Sequence, residues 1–209
     1  LFMAKNIVKS TDVYGKPTVR YLTYLLIFLL YLIPVVIIFR HGFDNYFQLF
    51  RRIAGLTGIA SLFIAIIISS FVRQSKKIFG TVYLKVHHLF SITGLILVTL
   101  HPIIMAIDFG TSRIFIPNFS SWDAFLTNAG RPALYLIYIA TSAAILRKNI
   151  TKYWKYIHSL INLAFILGAI HGIRQGSDLK NPVLLSLYLI IVIIVIANFI
   201  YKRYLNYNK

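Results

Sequence analysis

Six long uncharged runs dominate the chain, and short segments rich in Lys and Arg separate them. The runs are 21–39, 53–72, 86–107, 132–146, 156–173 and 181–201. A membrane-spanning helix needs about 20 apolar residues. Five runs are long enough without additional residues. The fourth run is shorter, so it either includes 124–130 as well or crosses the membrane with little tilt. Continuous apolar blocks without strand-like alternation exclude a β-barrel. We therefore predict an all-α integral membrane protein, a six-helix transmembrane bundle.

The composition supports a membrane protein. Hydrophobic residues make up 58% of the chain and charged residues 13%, against about 25% charged residues in an average soluble domain. The net charge of +17 would suggest nucleic-acid binding in a soluble protein. Here the charges lie between apolar runs, so we predict loops beside an anionic lipid surface and no nucleic-acid partner. The predicted organisation is a cytoplasmic leader at 1–20, one transmembrane domain at 21–201 and a cytoplasmic tail at 202–209.

The distribution of Lys and Arg predicts the orientation of the bundle. Of the 22 Lys and Arg residues, 15 fall on the side that holds both termini, and seven fall on the other side. Four of the five Asp residues lie on that other side. We therefore expect both termini in the cytoplasm, with the protein in the cell membrane of a prokaryote. The longest connection, 108–131, then lies outside, as a cap over a site or as a linker.

The chain contains neither Cys nor Glu. The absence of Cys excludes disulfides, iron–sulfur clusters, thiolate-bound metals and covalently attached haem. The absence of Glu excludes the Glu-x-x-His sites of di-iron bundles. Catalytic zinc usually needs three close ligands, often with a carboxylate or thiolate among them. No acidic residue lies inside either helix that carries the histidines.

Five of the six histidines lie in the third and fifth predicted helices. His87 and His101 are 14 residues apart, and His158 and His171 are 13 apart, which is roughly 20 Å along a helix. Both helices run in the same direction, so His87 and His158 share the cytoplasmic level and His101 and His171 the outer level. Facing histidines can supply both axial ligands of a haem iron. We predict two b-type haems, with another metal or purely structural histidines as the alternatives.

The rotational positions of these histidines are less regular than their depths. Fourteen steps leave His101 about 40° from the face of His87, whereas thirteen steps leave His171 about 140° from that of His158. Tilt, a bulge or bending near Gly168 would have to correct the second pair.

His88 competes with its neighbour His87 for the inner ligand position. It is 13 residues from His101 and points away from the shared face, so we predict His87 as the ligand and keep His88 as the alternative.

Haem propionates also need polar or cationic partners. The candidates, equally interpretable as interfacial charges, are Lys85, Lys152 and Tyr156 inside and Arg51, Arg52, Arg131 and Arg174 outside.

Four short motifs resemble the ferric reductase-like transmembrane domain family, which includes NADPH oxidases, ferric reductases and the haem subunit of bacterial methionine sulfoxide reductase systems. The motifs are Arg52-x-x-Gly55, His87-x13-His101, Trp154-x3-His158 and His171-Gly172. The resemblance covers about residues 51–171 and implies six helices with two haems between the third and fifth. Met105 stands where the oxidases carry an additional histidine. No Gly-rich dinucleotide motif is present, so no flavin is expected to be bound by this chain.

The expected function is electron transfer across the membrane through the two haems, from a cytoplasmic-side donor to an outer-side acceptor, as in a metalloreductase. Because haem takes one electron at a time, a separate flavoprotein reductase or a quinol is expected as the donor. The alternative is a cytochrome b subunit of a quinol-linked complex with an extracytoplasmic oxidoreductase as partner. A channel or scaffold with structural histidines is a third hypothesis. No residue is assigned as catalytic, so the chain is expected to be an oxidoreductase component.

Overall fold

The structure, a computed structural model, describes residues 13–207 and is all-helical over that range. Most of the predicted leader therefore lies outside the described residues, as does the end of the predicted tail. Nine α-helices follow one another in the described range. They are α1 (Pro17–His41), α2 (Tyr46–Ser70), α3 (Val72–Phe79), α4 (Tyr83–Asp108), α5 (Trp122–Thr127), α6 (Gly130–Ile145), α7 (Trp154–His158), α8 (Leu160–Gln175) and α9 (Pro182–Tyr207).

Five helical segments are long and apolar enough to cross a membrane, which indicates a membrane protein. They are α1, α2, the continuous stretch of α3 and α4, the stretch of α7 and α8, and α9. The fourth predicted run forms α6, which has 16 residues. That is about 24 Å at 1.5 Å per residue, short of a hydrocarbon core about 30 Å thick. Residues 124–130 do not extend α6 as one continuous helix, because α5 ends at Thr127 and α6 begins at Gly130.

Most helix boundaries extend beyond the apolar runs, and at the start of α2 a capping group accounts for the extension. Asn45 is the N-cap of α2, and its side chain accepts a hydrogen bond from the backbone N–H of Gln48, which satisfies one of the free donors at the helix start. The helix therefore begins seven residues before the predicted run and carries Arg51 and Arg52 in its second turn. At the other end of the chain, α9 continues to Tyr207, so the predicted tail is helical over its described part.

The helices alternate in direction and give the bundle two ends. The basic end carries the connections 71–82 and 146–153, and the loop end carries the connection 109–129. All four Asp residues of the described range lie at the loop end: Asp44, Asp108, Asp123 and Asp178.

The bundle is assembled from two close antiparallel helix pairs. One pair is α2 with α4 and the other is α6 with α8, and α1 and α9 pack around them. The central helix is α2, which is more buried than the other long helices. The core between the pairs includes Leu62 of α2, Ile137 of α6, Phe165 of α8 and Val195 of α9.

Glycines allow α2 and α4 to approach closely, as small residues do between membrane helices. A Cβ atom added at Gly94 would lie 2.8 Å from Cδ2 of Leu62 and 3.1 Å from its backbone nitrogen. A Cβ added at Gly58 would lie 2.9 Å from Cγ1 of Val98. These two positions therefore set the distance between the two helices.

We expect Gly94→Ala to lower stability by about 1–3 kcal/mol relative to Gly168→Ala, because the added methyl group overpacks the α2–α4 contact. Both substitutions gain about 1 kcal/mol of helix propensity, but a Cβ at Gly168 meets only Ile59 at an ordinary 3.4 Å. Unfolding of the two variants in the same detergent measures the difference. Equal stability would show that the helix pair has room that the contacts do not reveal.

Candidate functional site

Four histidines form two pairs at two depths between α4 and the α7–α8 segment. His101 and His171 near the loop end, here called the loop-end pair, are close enough for their charged forms to interact. His87 and His158 near the basic end, here called the basic-end pair, are also within electrostatic reach. The loop-end pair lines one cavity, whereas His87 and His158 share their depth in the bundle without lining that cavity.

Each of the four imidazoles forms the same hydrogen bond. Its Nδ1 lies within 3.0 Å of a backbone carbonyl oxygen on a helix that comes earlier in the sequence and packs beside the histidine. The bonds join His87 to Ala65 (3.0 Å), His101 to Arg51 (2.8 Å), His158 to Ala140 (2.9 Å) and His171 to Thr127 (2.8 Å).

This hydrogen bond fixes the tautomer of each imidazole. A carbonyl oxygen can only accept, so Nδ1 must carry the proton, and the lone pair of the neutral ring is then on Nε2. Metal-binding histidines characteristically donate their second ring nitrogen to a carbonyl or carboxylate, which fixes the ring orientation. All four Nε2 atoms are therefore prepared as ligands.

The spacing of the acceptors matches the spacing of the histidines. Ala65 and Arg51 are 14 residues apart, as are His87 and His101. On the other side of the site, the acceptors Thr127 of α5 and Ala140 of α6 are 13 residues apart, as are the histidines of α7 and α8 that they bind. Each side of the site thus keeps one antiparallel register across both levels.

A local irregularity at Ser159 accommodates the 13-residue spacing. The backbone N–H of Ser159 bonds to both Lys155 and Tyr156, and that of Asn162 bonds to Ser159, which tightens the chain between α7 and α8. Such 3₁₀-type turns advance about 120° per residue instead of about 100°, so they recover part of the rotation that separates the two histidines of this segment. Of the three corrections considered from the sequence, tilt, a bulge or bending near Gly168, this irregularity corresponds to a local departure from α-helical geometry, and it lies at Ser159; α8 is continuous through Gly168.

Space for a large ligand lies between the two helix pairs. Although α4 and α8 carry the facing histidines, they do not pack closely against each other. A cavity of about 550 Å³ opens between them, and its lining includes His101 and His171 but neither His87 nor His158. This volume is within the usual range of 300–1,000 Å³ for ligand sites.

Two glycines make room for the imidazoles of the loop-end pair. A Cβ added at Gly55 of α2 would lie 3.0 Å from Nδ1 of His101. A Cβ added at Gly130, the first residue of α6, would lie 2.6 Å from Cδ2 of His171. The motif around Arg52 pointed to the first glycine, whereas nothing in the sequence distinguished the second.

Ion pairs surround the cavity at the loop end. Arg52 of α2 forms a bidentate pair with the buried Asp178, its Nε lying 2.8 Å from Oδ2, and its Nη1 donates to the carbonyl of Gly42 at 2.6 Å. Arg51 pairs with Asp108 at 2.6 Å. Arg174 pairs with Asp123. The three arginines are candidates from the sequence alone, whereas their carboxylate partners are 51 or more positions distant along the chain and are identified only in the fold.

The residues predicted to contact haem propionates lie in different environments. Arg52 and Arg131 line the cavity, whereas Arg174 is not a lining residue and Lys85 is exposed at the basic end. Arg131 donates to the backbone carbonyl of Ile116 at 2.6 Å and lies within electrostatic reach of His171. Since Arg52 is neutralised by Asp178, Arg131 is the better candidate for a negatively charged ligand group.

The remaining two histidines have other surroundings. His88 is exposed, with its ring centroid 5.6 Å from that of His87. His41 is exposed at the loop end, where its Nδ1 lies 3.8 Å from the Asp178 carboxylate. Among the described residues, neither ring forms the hydrogen bond from Nδ1 to a backbone carbonyl that orients the other four imidazoles.

No family model, curated protein or solved structure matched this chain. Within residues 13–207, no group of three or more His, Cys, Asp or Glu side chains is arranged to hold a metal ion. The donor set at each level of the site is therefore two imidazoles, which suits a metal whose remaining ligands come from a macrocycle.

The buried pair of Arg52 and Asp178 yields a stability prediction. Side chains of both residues are nearly buried, at 11% and 5% exposed, and removing one partner of such a pair costs about 3–5 kcal/mol. Asp178→Asn should therefore destabilise the protein by about that amount, whereas Asp44→Asn, which alters an exposed side chain, should have little effect. Thermal unfolding in detergent measures both, and equal stability of the two variants would contradict the assignment.

Proposed function

We propose that this protein transfers electrons across a membrane through two b-type haems, each bound by one histidine from α4 and one from the α7–α8 segment. His101 and His171 hold the loop-end haem, and His87 and His158 hold the basic-end haem. The observation that carries the proposal is the repeated bond from Nδ1 to a backbone carbonyl, which leaves four Nε2 atoms as ligands at two depths.

The space between the helix pairs supports the same proposal. The cavity contacts both histidines of the loop-end pair, and glycines rather than larger residues stand behind their rings. Arg131 is proposed as a propionate partner because none of the four Asp residues in the described range forms an ion pair with it. The short α6 is proposed as a sixth span, because its partner α8 crosses the membrane beside it.

Haem, when bound, supplies one-electron chemistry, and the chain determines its depth, ligation and dielectric surroundings. Two imidazoles per iron leave no open coordination position, so the chain serves outer-sphere transfer. Phe165 is 1% exposed and lies between the two levels, seven residues after His158 and six before His171. With Leu62 and Ile137 it forms an apolar part of the cavity lining. Moving one electron across the membrane potential is worth about 2.3 kcal/mol per 100 mV.

The distribution of charged residues between the two ends supports the proposal that electrons enter at the basic end. The four Asp residues of the described range all lie at the loop end, whereas the connections at the basic end carry Lys and Arg. We propose that a separate flavoprotein or a quinol donates there and that the acceptor is reached at the loop end. Membership in the ferric reductase-like family, whose motifs the sequence resembles, is part of the same proposal.

Single histidine substitutions test the pairing by depth. His101→Ala and His171→Ala should each remove the same haem component in a redox titration of the purified protein, and His87→Ala and His158→Ala should each remove the other. The matched control is His88→Ala, beside His87 in α4, which should retain both components. Loss of one common component in His101→Ala and His158→Ala would contradict the proposed pairs, and loss in His88→Ala would reassign the basic-end ligand.

A further inference from the structure

The carbonyl that holds His101 belongs to a residue with a second attachment to α4. The Arg51 carbonyl accepts from His101 at 2.8 Å, and the Arg51 guanidinium donates to Asp108 at 2.6 Å. His101 and Asp108 are seven residues apart, which places them on the same face, two turns from each other. Arg51 therefore connects the start of α2 to the end of α4 at two points, one of which is the imidazole.

Thr127 holds His171 in an equivalent way. Its carbonyl accepts from His171 at 2.8 Å, and its hydroxyl accepts from Nε of Arg174 at 3.1 Å. Arg174 follows His171 by three residues on α8, so Thr127 also contacts one helix at two points. The Arg174 guanidinium pairs in turn with Asp123 of α5.

The basic-end pair has no such second attachment through its acceptor residues. His87 and His158 bond to the carbonyls of Ala65 and Ala140. An alanine methyl group cannot form a hydrogen bond or an ion pair, so each of these acceptors holds its histidine at one point. The two levels therefore share one type of carbonyl bond but differ in how firmly the acceptor is fixed.

The exposed fractions of the side chains indicate which of these attachments hold the loop-end acceptors more firmly. The side chains of Arg51 and Asp108 are 21% and 14% exposed, whereas those of Arg174 and Asp123 are 37% and 77% exposed. Solvent screens an exposed ion pair strongly, so the pair of Arg174 with Asp123 contributes little. The attachments that remain are the link from Arg51 to Asp108 and, weaker because Arg174 is exposed, the hydrogen bond from Arg174 to the hydroxyl of Thr127.

We propose that Arg51 and Thr127 are positioning residues that fix the imidazole planes of the loop-end pair and lower the midpoint potential of the haem bound there. The inference rests on the proposed function. A firmly held bond from Nδ1 to a carbonyl makes the imidazole a more basic ligand, and a more basic ligand favours the oxidised iron. Loosening either attachment raises the potential of the loop-end haem and leaves the basic-end haem unchanged.

Thr127→Val and Asp108→Asn test this in the haem-loaded full-length protein. In a redox titration, the component that His101→Ala removes should shift to higher potential in both variants. Its electron paramagnetic resonance g-values, which report the relative orientation of the two imidazole planes, should change. Transfer of this haem to apomyoglobin should be about tenfold faster, in the range for loss of an outer-shell partner. Thr127→Val changes no charge, so its shift separates ligand orientation from the electric field.

Three further variants complete the experiment. Thr127→Ser retains the hydroxyl and should restore the wild-type potential. Thr111→Val and Asp44→Asn remove comparable groups at the same end, where Thr111 bonds to Arg113 and Asp44 to Gln48, and should move neither component.

Three results would overturn the inference. Unchanged components in Thr127→Val and Asp108→Asn, or equal shifts of both components, would overturn this inference alone and leave the proposed function standing. A wild-type protein that binds no haem would overturn both.

Discussion

The hydrogen bond from a histidine Nδ1 to the backbone carbonyl of a neighbouring helical segment is the interaction on which the arrangement of the site depends. It is formed four times, at two depths and in both helix pairs. An unpaired polar group buried in a membrane is costly, so each bond compensates for burying an imidazole. It also joins two helices in a defined register and leaves Nε2 available to a metal.

The four bonds require the helices of each pair to lie close together, and in this bundle the helices that carry His101 and His171 lie apart. Gly58 and Gly94 allow the close approach of α2 and α4, and α4 does not pack closely against α8. A bundle of this size would ordinarily fill the space between its pairs with side chains. The cavity beside His101 and His171 is therefore a consequence of how the bundle is built around its histidines.

The sequence predicts the helical class and the depths of the histidines, because apolar length and residue spacing depend only on position along a helix. Rotation depends on local departures from ideal geometry, so the tightened turn at Ser159 was not predictable from the 13-residue spacing. The four acceptors were also beyond prediction, because every residue carries a carbonyl. The ion pairs of Arg51 and Arg52 join residues 57 and 126 positions apart, and only the folded chain brings them together.

The most direct test of the account is the haem content of the purified full-length protein, measured by pyridine haemochrome against protein concentration and by optical spectroscopy in both redox states. Two ligation levels predict two non-covalent b-type haems per chain, both low-spin and six-coordinate. A chain that binds no haem after expression with ample haem supply would contradict the account. So would a single high-spin haem, because its iron would lack one of the two imidazoles.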